Sequence, residues 1–114
     1  TVMQAVIPAA QKETPEVLRK YGKEYLRHVH FSYPSIPEID GVRDPDNIRT
    51  IFEGELHRRG WWRTFPSCRE EWDYTDFIQA LKDCGYQGRV SLEAPVTDFD
   101  RQAQEALAFM KAEF

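Results

Sequence analysis

Two short stretches of alternating polarity, set between segments of helical periodicity, constrain this chain most. Residues 25–31 (YLRHVHF) and 89–93 (RVSLE) alternate in period two and are rich in β-forming side chains, so each is expected to be a strand. In the first, Leu26, His28 and His30 share one face; in the second, Arg89, Ser91 and Glu93 oppose Val90 and Leu92. Thr14-Pro15-Glu16 has the form of a helix start, with a hydroxyl cap, a proline at the first helical position and an acid in the first turn. Gly22 is the expected stop after Val17, Leu18 and Tyr21. Residues 33–46 hold three prolines and a glycine and are expected to be a loop. Asp44-Pro45 then opens an amphipathic helix through Ile48, Ile51, Phe52 and Leu56 to Gly60, which makes 34–60 an inserted helical excursion. A further helix follows Asp73, with Phe77, Ile78, Leu81 and Cys84 on its apolar side and Gly85 at its end. After Pro95 a last helix starts near Asp98 or Asp100 and carries a packing stripe of Ala103, Ala106, Leu107 and Met110.

The order helix, strand, helix, helix, strand, helix places residues 1–114 in the α/β class as one segment, with parallel strands joined by right-handed crossovers. Two strands do not complete a sheet of that kind.

Strands of a parallel sheet covered by helices normally read Val, Ile or Leu on both faces. If Val29, Phe31, Val90 and Leu92 face the helices, the opposite face presents His28, His30, Ser91 and Glu93. An inward carboxylate is paired, protonated or bound to a metal, because burying it alone costs several kcal/mol. His30 and Glu93 lie at the C-terminal ends of their strands, where barrel enzymes place their active sites. Imidazole nitrogen with carboxylate oxygen suits Mn²⁺, Co²⁺, Fe²⁺ or Zn²⁺, and Mg²⁺ less well. The residues alone leave a second reading open, in which the histidines satisfy one another through hydrogen bonds and Glu93 caps a loop or meets an arginine.

Composition narrows the partners. Fifteen basic against 19 acidic residues give a net charge of −4, so there is no general positive field for nucleic acid. The densest basic stretch, Arg58, Arg59 and Arg63 around Trp61 and Trp62, is read as ordinary surface rather than a single-strand binding patch. No apolar run reaches the ~20 residues that span a bilayer, and the opening TVMQAVIPAAQKET lacks the pattern of a secretory leader. Cys68 and Cys84 have neither metal spacing nor a disulfide framework and are expected to be free thiols in a cytoplasmic protein.

HVHFS at 28–32, RTFP at 63–66, DYTDFIQALKDCGYQGRVSLEAP at 73–95 and the tail DRQAQEALAFMK at 100–111 together resemble the last third of the xylose-isomerase-like barrel superfamily. That group includes D-tagatose/D-psicose 3-epimerases, hydroxypyruvate isomerases, inosose-processing enzymes and zinc-dependent AP endonucleases. The resemblance implies a (β/α)₈ TIM barrel of which this chain supplies about strands 7 and 8 with their helices. It implies His30 and Glu93 as ligands of a divalent metal (Mn, Co, Zn or Mg), Glu93 also as the catalytic base, and Arg63, three residues before Pro66, as a grip on substrate oxygens. His28 belongs with the substrate side, and Trp61 and Trp62 either wall the pocket against a sugar ring or anchor the excursion's helix.

The activity so implied is metal-assisted proton transfer on a ketose or related polyol, a small-molecule sugar, without nucleic acid or membrane. Its rivals are a non-catalytic barrel remnant or subunit and the AP-endonuclease-like branch, which requires further histidines and a basic DNA-facing surface. This chain departs from the family pattern in its excursion at 34–60, in SCREEW at 67–72, and in Met3 and Gln4 where the epimerases place a substrate histidine. The family's other two ligands, a glutamate and an aspartate, come from earlier strands. The 114 residues alone are therefore expected to need the remainder of a barrel or a homo-oligomer to cover their open strand edges and apolar helix faces.

Overall fold

The computed structural model describes residues 8–35, 63–66 and 72–114. The excursion's expected helix, Trp61, Trp62, His57 and Cys68 lie outside the described residues.

The first helix, α1 (Pro8–Tyr25), differs at both ends from the sequence expectation. Pro8 opens it and a run of good helix formers follows, so the helix is established before Pro15, which lies inside it and is fully buried. Pro15 lacks the N–H that would bond back one turn, and burial of its ring compensates. Gly22 is not a stop. A Cβ built there would stand 2.8 Å from Cys84 Sγ and 3.2 Å from Cys84 Cβ, so the missing side chain is what lets α1 lie against the end of the next helix. The helix runs on to Tyr25, and the Leu26 N–H donates to the Gly22 carbonyl at 2.9 Å. The strand expected over 25–31 is accordingly shortened to β1 (Val29–Phe31). Leu26 packs on the core and does not share the exposed face of His28 and His30.

Part of the expected loop is ordered as a second ladder. β2 (Tyr33–Pro34) pairs antiparallel with β3 (Arg63–Thr64), in the register Tyr33↔Thr64 and Pro34↔Arg63. Phe65 and Pro66 are buried just beyond it.

The helix α2 (Thr75–Asp83) begins where the Asp73 carboxylate accepts the Thr75 N–H at 3.0 Å. Phe77, Ile78, Ala80 and Leu81 are its buried side. Its end follows the expected glycine signal. Gly85 adopts φ 71°, its N–H donates to the Lys82 carbonyl, and the Tyr86 N–H reaches the Leu81 carbonyl, each at 3.0 Å. Arg19 of α1 bridges to Asp76 and, at 2.8 Å, to Asp83, fastening the two helices along their rim.

β4 (Val90–Leu92) pairs parallel with β1, in the register Val29↔Val90, His30↔Ser91 and Phe31↔Leu92. The Tyr86 hydroxyl donates to the Arg89 carbonyl at 2.8 Å and steadies the turn into β4. The last helix, α3 (Phe99–Glu113), starts as expected at Asp98, whose carboxylate accepts the Arg101 N–H at 3.2 Å. Its packing stripe is shifted: Ala106 and Met110 are buried, but Leu107 is exposed and Phe109 takes the inner place.

Val29, Phe31 and Tyr33 enter one core with Tyr74, Phe77, Ile78, Leu81 and Met110. Its centre is aromatic. Phe31 lies 4.7 Å from the Tyr74 ring, Tyr33 stacks on Tyr74 at 5.5 Å, and the Tyr74 hydroxyl donates to the Ser32 carbonyl at 3.0 Å. Among the described residues, no helix is long and apolar enough to cross a membrane.

Candidate functional site

Because Val29 and Phe31 are committed to the core, the intervening His30 is forced to the opposite face of β1. The parallel register sets Ser91 beside it, and the Glu93 N–H donates to the Phe31 carbonyl at 3.3 Å, which extends the ladder to the C-terminal end of β4. Glu93 therefore emerges next to His30. His30 Nδ1 stands 2.8 Å from Glu93 Oε2.

Arg63 reaches the same oxygen from β3, with its guanidinium 3.1 Å from Glu93 Oε2. The Glu93 carboxyl is held below the usual glutamate range, first by the hydrogen bond from His30 and then by the charge of Arg63. An ionised carboxylate can only accept, so Nδ1 of His30 carries the proton between them. The His28 ring sits edge-on to His30, with centroids 4.9 Å apart.

Of the residues singled out in the sequence, the structure brings together His28, His30, Arg63 and Glu93. Trp61 and Trp62 lie outside the described residues. As expected of two strands without the rest of a sheet, the polar face is open to water. The side chains of His30 and Glu93 are 56% and 51% exposed, because among the described residues no further strand stands beyond β1 or β4 to close over them.

Sequence reading left open that Glu93 meets an arginine but did not name Arg63 as that arginine. Residues 33–34 and 63–64 are too short to alternate, and the ladder between them, which delivers Arg63, leaves no periodic signal.

The donor chemistry suits a divalent metal: an imidazole and an ionised carboxylate converge from adjacent strand ends. Their number fits only part of a ligand set. Among the described residues, no group of three or more His, Cys, Asp or Glu side chains is placed to hold a metal ion. A separate apolar groove of about 220 Å³ on α1, lined by Val17, Leu18, Tyr21, Gly22, Tyr25 and Leu26, shares no residue with this cluster.

Comparison with protein-family models, with curated proteins and with solved structures finds no match to this chain.

Proposed function

We propose that this chain is the C-terminal part of a (β/α)₈ barrel and carries half of a divalent-metal site of a sugar isomerase or epimerase. One observation supports this above the rest: His30 and Glu93 meet at 2.8 Å at the C-terminal ends of two adjacent parallel strands, with Arg63 on the same carboxylate. In this reading His30 and Glu93 would hold Mn²⁺, Co²⁺, Zn²⁺ or Mg²⁺, with the remaining donors supplied from beyond the described residues. The metal, when bound, supplies a Lewis acid that polarises the substrate's carbonyl and hydroxyl oxygens.

The chain's own residues perform the rest. Glu93 accepts the proton from the carbon beside the carbonyl, the C–H electron pair moves toward that carbonyl, and negative charge grows on its oxygen. Returning the proton to the former carbonyl carbon, while the hydroxyl proton of the original carbon passes to the former carbonyl oxygen, isomerises the sugar; returning it to the opposite face of the original carbon epimerises it and requires a second acid. Glu93 is ionised and so able to accept a proton, while the His30 and Arg63 contacts that hold it ionised also weaken it as a base; Arg63 adds a fixed positive charge beside the developing anion. In the metal-free protein His30 keeps the carboxylate aimed; as a metal ligand it would give up that hydrogen bond.

The half-exposure of His30 and Glu93 favours a second reading, in which the three side chains form a surface ion-pair network in a non-catalytic protein. Titration of the protein, joined to the strands that supply the remaining donors, with Mn²⁺, Co²⁺ and Zn²⁺, followed by calorimetry, separates the two. The first reading expects binding that His30→Ala and Glu93→Ala each abolish. Absence of binding, or equal binding by both variants, leaves the network reading.

A further inference from the structure

We infer that Arg63 is a positioning residue for Glu93: it fixes which carboxylate oxygen is free to work, before any substrate arrives. The inference rests on the reading of His30 and Glu93 as the working pair and adds a role for Arg63 that precedes substrate binding.

The geometry carries it in three steps. First, both donors fall on one atom. His30 Nδ1 at 2.8 Å and the Arg63 guanidinium at 3.1 Å both meet Oε2, and Oε1 takes part in neither contact. A carboxylate loaded on one oxygen cannot rotate freely, so Oε1 is the oxygen left to meet a ligand or take a proton.

Second, Arg63 is delivered by a path built from the same core as His30. β1 leads through the buried Ser32 directly into β2, and β2 pairs Pro34 with Arg63. Tyr33 stacks on Tyr74, and the Tyr74 hydroxyl holds the Ser32 carbonyl at 3.0 Å. Phe65 is buried two residues after Arg63. The base of the arginine is thus anchored on both sides.

Third, the arginine is more sheltered than its acceptor. Its side chain is 31% exposed against 51% for Glu93, so it is the better-fixed member of the pair. An arginine whose only task was to grip substrate has no reason to be tied to the base on the oxygen that His30 already occupies.

The test uses the full chain and needs no metal. The carboxylate stretch of Glu93 is isolated as the infrared difference between each protein and its Glu93→Gln counterpart. In Arg63→Met the band is expected to move toward that of a freely solvated carboxylate. Arg63→Lys keeps a cation on β3 and controls for loss of the β2–β3 pairing, so it should restore most of the original band. An unmoved band in Arg63→Met, or a band displaced equally in Arg63→Lys, overturns the inference. Mn²⁺ binding, followed by electron paramagnetic resonance on the same proteins, forms a separate arm. Loss of a residue that orients a ligand weakens metal about tenfold or more, and that is the fall expected for Arg63→Met with recovery in Arg63→Lys. If the parent protein, joined to the strands that supply the remaining donors, takes up no Mn²⁺, the metal-site reading falls, and the infrared comparison still decides the role of Arg63.

Discussion

Two arginine–carboxylate clusters in this protein look alike in outline and differ in what lies beneath them. Arg19 bridges Asp76 and Asp83 across the α1–α2 seam, where Gly22 brings the helices to contact at Cys84 and the packed side of α2 closes the interior. Glu93 meets both Arg63 and His30 above the ends of β1 and β4, on the side of the sheet away from the core. The first cluster trims a seam that packing already holds. The second organises side chains that packing does not reach, and a polar group spared from the interior is free to do chemistry.

The largest effect should come from the residue beneath both. Phe31→Ala removes a fully buried ring at the centre of the aromatic cluster and should cost about 3–5 kcal/mol in denaturant unfolding. It should also loosen His30, its neighbour on β1. Retention of the Glu93 infrared band in a folded Phe31→Ala protein would break the link between core and site.

Gly22→Val comes next and strikes the seam alone. The new Cβ must displace Cys84, at a cost of about 1–3 kcal/mol by calorimetry. Adding Cys84→Ala should recover a measurable part of that loss, while the Glu93 band stays in place. If the double variant is no better than the single one, close approach is not what Gly22 provides.

His30→Ala and Glu93→Gln should act in the opposite sense, leaving the melting midpoint close to that of the parent while abolishing divalent-metal binding. A large fall in the midpoint for either would make the second cluster as structural as the first.

The smallest effects are in acid. Glu93 is held below its ordinary value of 4.5 by His30 and Arg63, and Asp83 below 3.8 by Arg19 and Gln79. In both cases the ionised form is the one bound in the folded state, so the contribution is whole above the ordinary value and disappears as pH falls through the lowered one. Subtracting the stability profile of Glu93→Gln from that of the parent should reveal a loss beginning below about pH 4.5. The corresponding Asp83→Asn difference should begin lower, below about pH 3.8. Coincident windows would remove this distinction between the clusters.

Much of the scaffold was legible in the sequence wherever one residue type has one dominant use. Gly85 ends α2 through a positive φ, Asp98 caps α3, and the alternation in VHF and VSL assigns the faces of β1 and β4. That His30 and Glu93 share a face could be read from the same alternation. Reading failed where one residue serves several uses. Pro15 has the local appearance of a helix start, but the formers upstream had already set the helix; Gly22 has the appearance of a stop, but its missing Cβ serves contact with Cys84. Leu107 fits the helical stripe, yet the aromatic cluster draws Phe109 inward in its place. The approach of Arg63 to Glu93 depends on a pairing between distant residues that no local pattern encodes.

The β2–β3 ladder also makes the chain modular. Pro34 and Arg63 are paired neighbours, so whatever joins them begins and ends at one place in the fold. Connections anchored in this way can be exchanged as cassettes, because their two ends are already held at hairpin distance. Replacing the 28 intervening residues by a five-residue turn would lower the closure entropy by about 1.5 kcal/mol. A lineage that lengthens or shortens this connection thus keeps β2, β3 and the strands of the first sheet as they are.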